Sequence, residues 1–343
     1  MAESDKNEIY LSSSPHYSIT ATTRHVMACV VLALLPIAAY GVWLFGVSAL
    51  VTLAVSVVSC VVFETAFRLA TGRESRAGDF SAVITGLLLA LVLPPSTPVW
   101  MTALGALFAV VVAKEFFGGL GANVFNPALS GRAFLLVSFA TPLTTWLSPR
   151  TGGVTDAVDA VTTATPLAWM KAAEGTVASA ADIADKAGLF SAGELYWNLF
   201  LGKRGGCVGE SSIFLIVIAF AFLALTRIID WRAPLAMVAT AVIVAWMAGV
   251  DPLLTVLSGG LLFGATFMIT DYATSPVTPA GRLVFGAGAG LITALIRVFG
   301  GFPEGVMFSI LIMNAVVPFL NRIIPRKYGR VKPARATGAG GSK

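Results

Sequence analysis

From Val26 to Phe63 the chain carries no charged residue. A bilayer-crossing helix needs about 20 mostly apolar residues, so this stretch holds two of them in succession. Composition extends the point to the whole chain. Hydrophobic residues make up 57% and charged residues 12%, against about 25% charged in soluble domains. Mean hydropathy is +0.84. Backbone polar groups inside a bilayer must be satisfied within their own segment, which predicts helices. The expectation is an all-α integral membrane protein of about ten transmembrane helices. Its spans fall near 26–44, 47–67, 80–93, 99–113, 131–147, 211–227, 234–250, 254–270, 283–298 and 305–320. The 34 Gly and 17 Pro are tolerated in membrane helices, where they permit close packing.

Placement of Lys and Arg predicts orientation. Arg68, Arg73, Arg76, Lys114, Arg227, Arg232 and Arg282 fall on connections at one side. A basic tail (321–343) and a short polar segment (1–25) fall on the same side, whereas the turns near 44–47, 94–98 and 251–253 carry no Lys or Arg. Both termini are therefore expected in the cytoplasm of a bacterial inner membrane. The excess of basic charge is explained by this topology and calls for no nucleic-acid partner. No small-residue cleavage site follows the first apolar run, so a secretory signal is not expected. The one long polar segment, 148–210, is expected outside, between a first membrane half (26–147) and a second (211–320). Within it, Ser191 with Glu194 reads as a capping box before Leu195-Tyr196-Trp197.

The halves echo each other. Phe116-Phe117-Gly118-Gly119-Leu120 returns as Val298-Phe299-Gly300-Gly301-Phe302, each downstream of an Asp beside an apolar run, Asp79 and Asp271. Five spans on each side of the long segment suggest an inverted five-helix repeat with broken helices. Phe116–Gly131 is apolar yet interrupted by Gly and Pro, which suits a re-entrant stretch sheltered by protein. Three cysteines without a CxxC, and two histidines ahead of the first span, supply neither an iron–sulfur cluster nor a haem or metal site.

The stretch that carries chemistry is Asp159-Ala160-Val161-Thr162-Thr163-Ala164-Thr165-Pro166. It resembles the D-x-x-(S/T)-x-A-T signature modified by periplasmic flavin transferases. That resemblance makes Thr165 the acceptor of FMN through a phosphoester, with AMP displaced from FAD. Asp159, Thr162 and the small Ala164 become recognition residues. Pro166 disfavours helix at Thr165 and keeps the hydroxyl on extended chain. The plain alternative is a Thr-rich loop. Gly264-Ala265-Thr266 reads similarly, but it lies in an apolar span, where close packing through Gly260 and Gly264 is the simpler role.

Further strings carry a family resemblance. Asp79-Phe80-Ser81-Ala82-Val83-Ile84-Thr85-Gly86-Leu87-Leu88-Leu89-Ala90-Leu91 and Phe117-Gly118-Gly119-Leu120-Gly121-Ala122-Asn123-Val124-Phe125-Asn126-Pro127-Ala128 look like segments of the D subunits of Rnf complexes. Gly209-Glu210-Ser211-Ser212, Thr270-Asp271-Tyr272-Ala273-Thr274-Ser275-Pro276 and Arg297–Gly305 extend the likeness over about 20–328. The homologous B subunit of sodium-pumping NADH:quinone reductase is the near alternative. That protein usually has a longer N-terminal extension. Thr163 departs from the Gly of many members. The resemblance implies a component, inactive alone, of a complex moving electrons between ferredoxin and NAD, coupled to Na⁺ or H⁺ transport. Its implied cofactors are covalent FMN and a non-covalent riboflavin. Its implied partners are the A, B, C, E and G subunits of the Rnf complex, and a flavin transferase for maturation. A solute channel without flavin is the competing reading.

Among polar residues, Asn123 and Asn126 are candidates to bond an isoalloxazine ring, or else to satisfy broken-helix backbone. Glu64 and Asp271 are candidates for an ion pathway, because intramembrane acids are costly. Glu64 could instead pair with Arg68 at i+4. Asp79, Lys114, Glu115 and Glu210 sit at span ends, and Arg297 with Glu304 is expected to form a salt bridge.

Overall fold

The computed structural model describes residues 22–74, 77–149, 183–185, 191–300 and 304–322. The candidate FMN segment, with Asp159, Thr162, Ala164 and Thr165, lies outside the described residues. No β-strand occurs among the described residues, and the chain is a multi-pass all-α membrane protein.

The first half contributes α1 (Thr23–Phe45), α2 (Val47–Ala70), α3 (Ser81–Val92), α4 (Val99–Leu107) and α5 (Pro127–Ser138). A short turn, α6 (Ala140–Leu143), follows, and α7 (Ala192–Leu201) closes the long segment. The second half contributes α8 (Ile213–Leu225), α9 (Arg232–Met247), α10 (Pro252–Leu257), α11 (Leu261–Phe263), α12 (Pro279–Phe299) and α13 (Val306–Leu320). Thr23–Phe45, Val47–Ala70, Val99–Phe117 and Pro279–Phe299 are long and apolar enough to cross a bilayer.

Helix starts follow from capping side chains. Ser191 Oγ accepts from Glu194 N at 3.2 Å, as the capping box predicts. Thr278 and Pro279 open α12, and Asp251 and Pro252 open α10. In each case an oxygen satisfies a free N–H, and proline occupies a position whose N–H has no partner.

Two expected spans are different in kind. The 254–270 run is not one helix. It breaks at Ser258–Gly260 into α10 and α11 and continues as a π-helical turn, Gly264–Met268. The 131–147 run is displaced. Its helix begins at Pro127 and stops at Ser138, because Asn126 and Pro127 set the start. Helix α3 has twelve residues, about 18 Å at 1.5 Å per residue, so it spans only part of a hydrocarbon core of about 30 Å. Leu89, Ala90 and Leu91 are fully buried within it. These incomplete elements are wrapped by longer ones, which keeps their open backbone from lipid. The expected Gly260–Gly264 packing holds at one end only: Gly264 lies against Val306, whereas Gly260 lies beneath two carboxylates.

Each half feeds a π-helical turn into a broken stretch, Phe108–Val112 before Lys114 and Gly264–Met268 before Asp271. The two stretches meet, since Asn126 Nδ2 donates to Met268 O at 3.4 Å. Lys114, Asp271 and Arg282 therefore gather at one end of the bundle. At the other end, Tyr40 Oη donates to Leu201 O at 2.7 Å and Ser96 Oγ donates to Thr145 O at 2.9 Å. Both flanks of the long segment thus emerge opposite the basic connections.

Candidate functional site

A cleft opens between the two broken stretches. Ile84, Leu88 and Phe267 form apolar wall, and Ser81, Lys114, Asn123, Asn126 and Asp271 supply polar groups. Asn126 does backbone work: its Oδ1 accepts from Leu129 N at 3.3 Å, capping α5. Asn123 Nδ2 donates to Phe125 O at 3.1 Å. Both amides therefore hold the broken chain in shape while lining the cleft. Asp271 accepts from Ala273 N at 3.4 Å and Thr274 Oγ1 at 3.2 Å.

Sequence alone puts Lys114 at a solvated span end, yet it is 2% exposed. Its Nζ donates to Glu64 Oε2 at 2.7 Å and to Ser81 Oγ at 2.6 Å. Glu64 stands behind Lys114 rather than pairing with Arg68. Arg68 turns to Glu115 at 3.3 Å, because the chain reversal after α4 brings Glu115 beneath the end of α2. Gly119 makes that approach possible. Its φ is +93°, and a Cβ there would stand 3.1 Å from Glu115 Oε1 and 3.2 Å from Arg68 Nη1.

On the same end, in the connection between α8 and α9, Asp230 accepts from Arg232 at 2.8 Å and Arg282 at 2.7 Å. Partial burial pushes the Asp230 carboxyl upward. The Arg232 N–H and the two guanidiniums outweigh that and hold it below the usual aspartate range. At the opposite end, burial and a bond to Asp251 push the Tyr196 phenol to about 12.

The expected Arg297–Glu304 bridge is replaced. Glu304 Oε2 accepts from Arg132 Nη2 at 2.6 Å, while Arg297 donates to Thr255 O at 3.0 Å and Ser258 O at 3.2 Å. The reason is the break after α10, whose end carbonyls have no helical partner and draw the guanidinium. Sequence reasoning missed Lys114 as a cleft residue and Arg132 altogether. The available signal was a basic residue beside a Gly/Pro-broken apolar stretch, which needs a buried acid.

Comparison with known proteins bears on what this arrangement belongs to. The model of the NQR2, RnfD, RnfE family matches residues 10–329. The D subunit of the proton-translocating ferredoxin:NAD(+) oxidoreductase complex of Clostridium ljungdahlii is 40% identical, covering 96% of this chain and 98% of the relative. The D subunit of the Na(+)-translocating ferredoxin:NAD(+) oxidoreductase complex of Acetobacterium woodii is 41% identical, covering 95% and 98%. The D subunit of an ion-translocating oxidoreductase complex of Stutzerimonas stutzeri is 39% identical, covering 91% and 94%. By its sequence over nearly its whole length, the chain belongs to the NQR2, RnfD, RnfE family.

Proposed function

We propose that this chain is the membrane electron-carrier component of an ion-translocating ferredoxin:NAD oxidoreductase complex of the Rnf type. The observation that carries the reading is end-to-end similarity, at about two residues in five, to proteins named as D subunits of such complexes. The reading puts the chain in a bacterial inner membrane with both termini cytoplasmic and residues 148–210 outside. Its partners are the A, B, C, E and G subunits, and a flavin transferase matures it. The near alternative, a component of sodium-pumping NADH:quinone reductase, belongs to the same family; the names of the relatives favour Rnf.

In this reading Thr165 carries FMN as a phosphoester. Asp159, Thr162 and Ala164 form the motif gripped by the transferase. The cleft suits a second, non-covalent flavin, riboflavin. Leu88 and Phe267 offer apolar surface to a planar ring, and Lys114, Asn123 and Asn126 offer donors at its edge. A bound flavin supplies one-electron redox chemistry, while the protein supplies position and environment. Lys114 adds positive charge beside the cleft, and Asp271 and Glu64 set acids on either side of that charge. These acids are the candidates for coupling electron flow to ion movement.

The test is mass spectrometry of the 148–210 region after coexpression with a flavin transferase. One peptide containing Thr165 gains the mass of FMN, and Thr165→Ala abolishes both that mass and in-gel fluorescence. An unmodified peptide from the assembled native complex overturns the reading. A second reading, a permeation path without flavin, is favoured by the meeting of Asn126 with Met268 between halves. Solute flux through the flavin-free chain in liposomes would establish it instead.

A further inference from the structure

The end of the bundle opposite the Lys114 cleft holds a second buried polar cluster. A short 3-10 turn, Val208–Glu210, packs there against the end of α3, with Gly209 against Leu91. Glu210 is 7% exposed, and its Oε1 is buried without a hydrogen-bond partner among the described residues. Glu304 faces it across Gly260. A Cβ at Gly260 would stand 2.5 Å from Glu304 Oε1 and 2.7 Å from Glu210 Oε1. Carboxylate oxygens of both residues and the Cys207 sulfur lie within 4.8 Å of one another. Two other buried polar atoms lack partners among the described residues, Ser258 Oγ and Arg297 Nε. Both belong to this cluster, through the Arg297–Ser258 contact.

The neighbouring cations are committed elsewhere. Arg204 donates to Leu257 O at 2.6 Å, Glu210 O at 3.2 Å and Gly259 O at 3.4 Å. Arg297 holds Thr255 O and Ser258 O. Both thus neutralise the carbonyl end of α10, where the helix dipole is negative. Arg132, from α5, is engaged by Glu304 and touches Cys207 Sγ at 3.5 Å. Each of these three guanidiniums is thus bonded to something other than the Glu210 carboxyl group. Two ionised carboxylates at this separation repel, and burial penalises both.

We propose that Glu210 and Glu304 hold one exchangeable proton between their carboxyl groups, forming a buried proton-binding site. The proton resides on Glu210, since Glu304 already has a guanidinium. The Glu210 O–H then donates to Glu304, which removes the repulsion and satisfies the orphan oxygen. A metal ion suits the site poorly. A hard cation takes a shell of oxygens, and the carbonyls of Thr255, Leu257, Ser258 and Gly259 already face arginines. On release, the proton passes to water and leaves Glu210 as a carboxylate. Arg297 Nε–H and Ser258 Oγ–H are the uncommitted donors that the new charge would meet. Because both carboxyl groups lie against Gly260 in the Ser258–Gly260 break, the protonation state is linked to how α10 and α11 are held.

Infrared spectroscopy of the full chain, labelled with ¹³C-glutamate, tests this without reference to flavin. At neutral pH one deuterium-sensitive C=O stretch of a protonated glutamic acid is expected, lost as pH rises. Glu210→Gln, which keeps a donor toward Glu304, removes it; Glu304→Gln removes it too, by relieving Glu210 of its like-charged neighbour. A band unchanged in Glu210→Gln overturns the proposal. So does a wild-type spectrum without a ¹³C-shifted carboxylic band, which needs no folded variant. A band abolished by NaCl at constant ionic strength and pH identifies a metal-ion site and overturns it as well.

Discussion

The Lys114 ammonium stands 2.7 Å from the Glu64 carboxylate, with both side chains almost wholly buried. Removing one partner strands a charge in a low-dielectric interior, which costs about 3–5 kcal/mol. Lys114→Met alone is therefore expected to lower chemical stability by that amount. Replacing both partners, Lys114→Met with Glu64→Leu, recovers most of it, since an apolar pair of similar volume is often neutral. A double-mutant cycle in denaturant measures the coupling. Additive losses would show that the pair does not act as a unit.

Asn126 combines a cap with a strut. Asn126→Ala loses the bond to Leu129 N and costs about 1 kcal/mol. Asn126→Asp retains the cap acceptor but loses the donor to Met268 O and sets a buried carboxylate against that carbonyl, so it is expected to cost more than Asn126→Ala. If riboflavin occupies the cleft, both variants lower the riboflavin extracted per chain while FMN on Thr165 is unchanged. Denaturing extraction followed by chromatography separates the two flavins.

Gly119→Ala forces an L side chain to φ +93° and against the Arg68–Glu115 pair. A non-glycine residue in such a region costs about 1–3 kcal/mol. Gly78→Ala, where a Cβ meets open space, is the control and is expected to be near neutral. Equal melting temperatures for the two variants would remove the argument for close approach at Gly119.

Asp230 sets an acid limit. Its folded value lies below the unfolded one, so its contribution is fully present above the ordinary aspartate pKa of about 3.9. It is lost as pH falls through the lower, folded value. Asp230→Asn should flatten the acid side of a melting-temperature profile and leave the neutral region less changed. A profile parallel to wild type below pH 4 (about the aspartate value) would contradict this.

The membrane class was legible in the charge-free run from Val26 to Phe63, because hydropathy alone decides whether such a segment is satisfied in water or lipid. The helix start at Ser191 was legible too, since a cap and the N–H it serves are neighbours in sequence. Lengths were less so: 254–270 is largely apolar, yet it breaks at Ser258–Gly260, where tertiary partners take over the freed carbonyls. Pairing was illegible. Glu64 has Arg68 one turn away and takes Lys114, fifty residues on. Glu304 has Arg297 nearby and takes Arg132, 172 residues back.

By itself, then, the sequence determined the solvent, the helical class, the family and the candidate acceptor Thr165, all of which depend on local composition or short strings. Only the tertiary structure decided that Lys114 lines a cleft and that Glu210 faces Glu304 over Gly260. Those facts arise from long-range chain crossings. A buried charge takes whichever partner the crossings bring within hydrogen-bond reach, and sequence distance does not enter that choice.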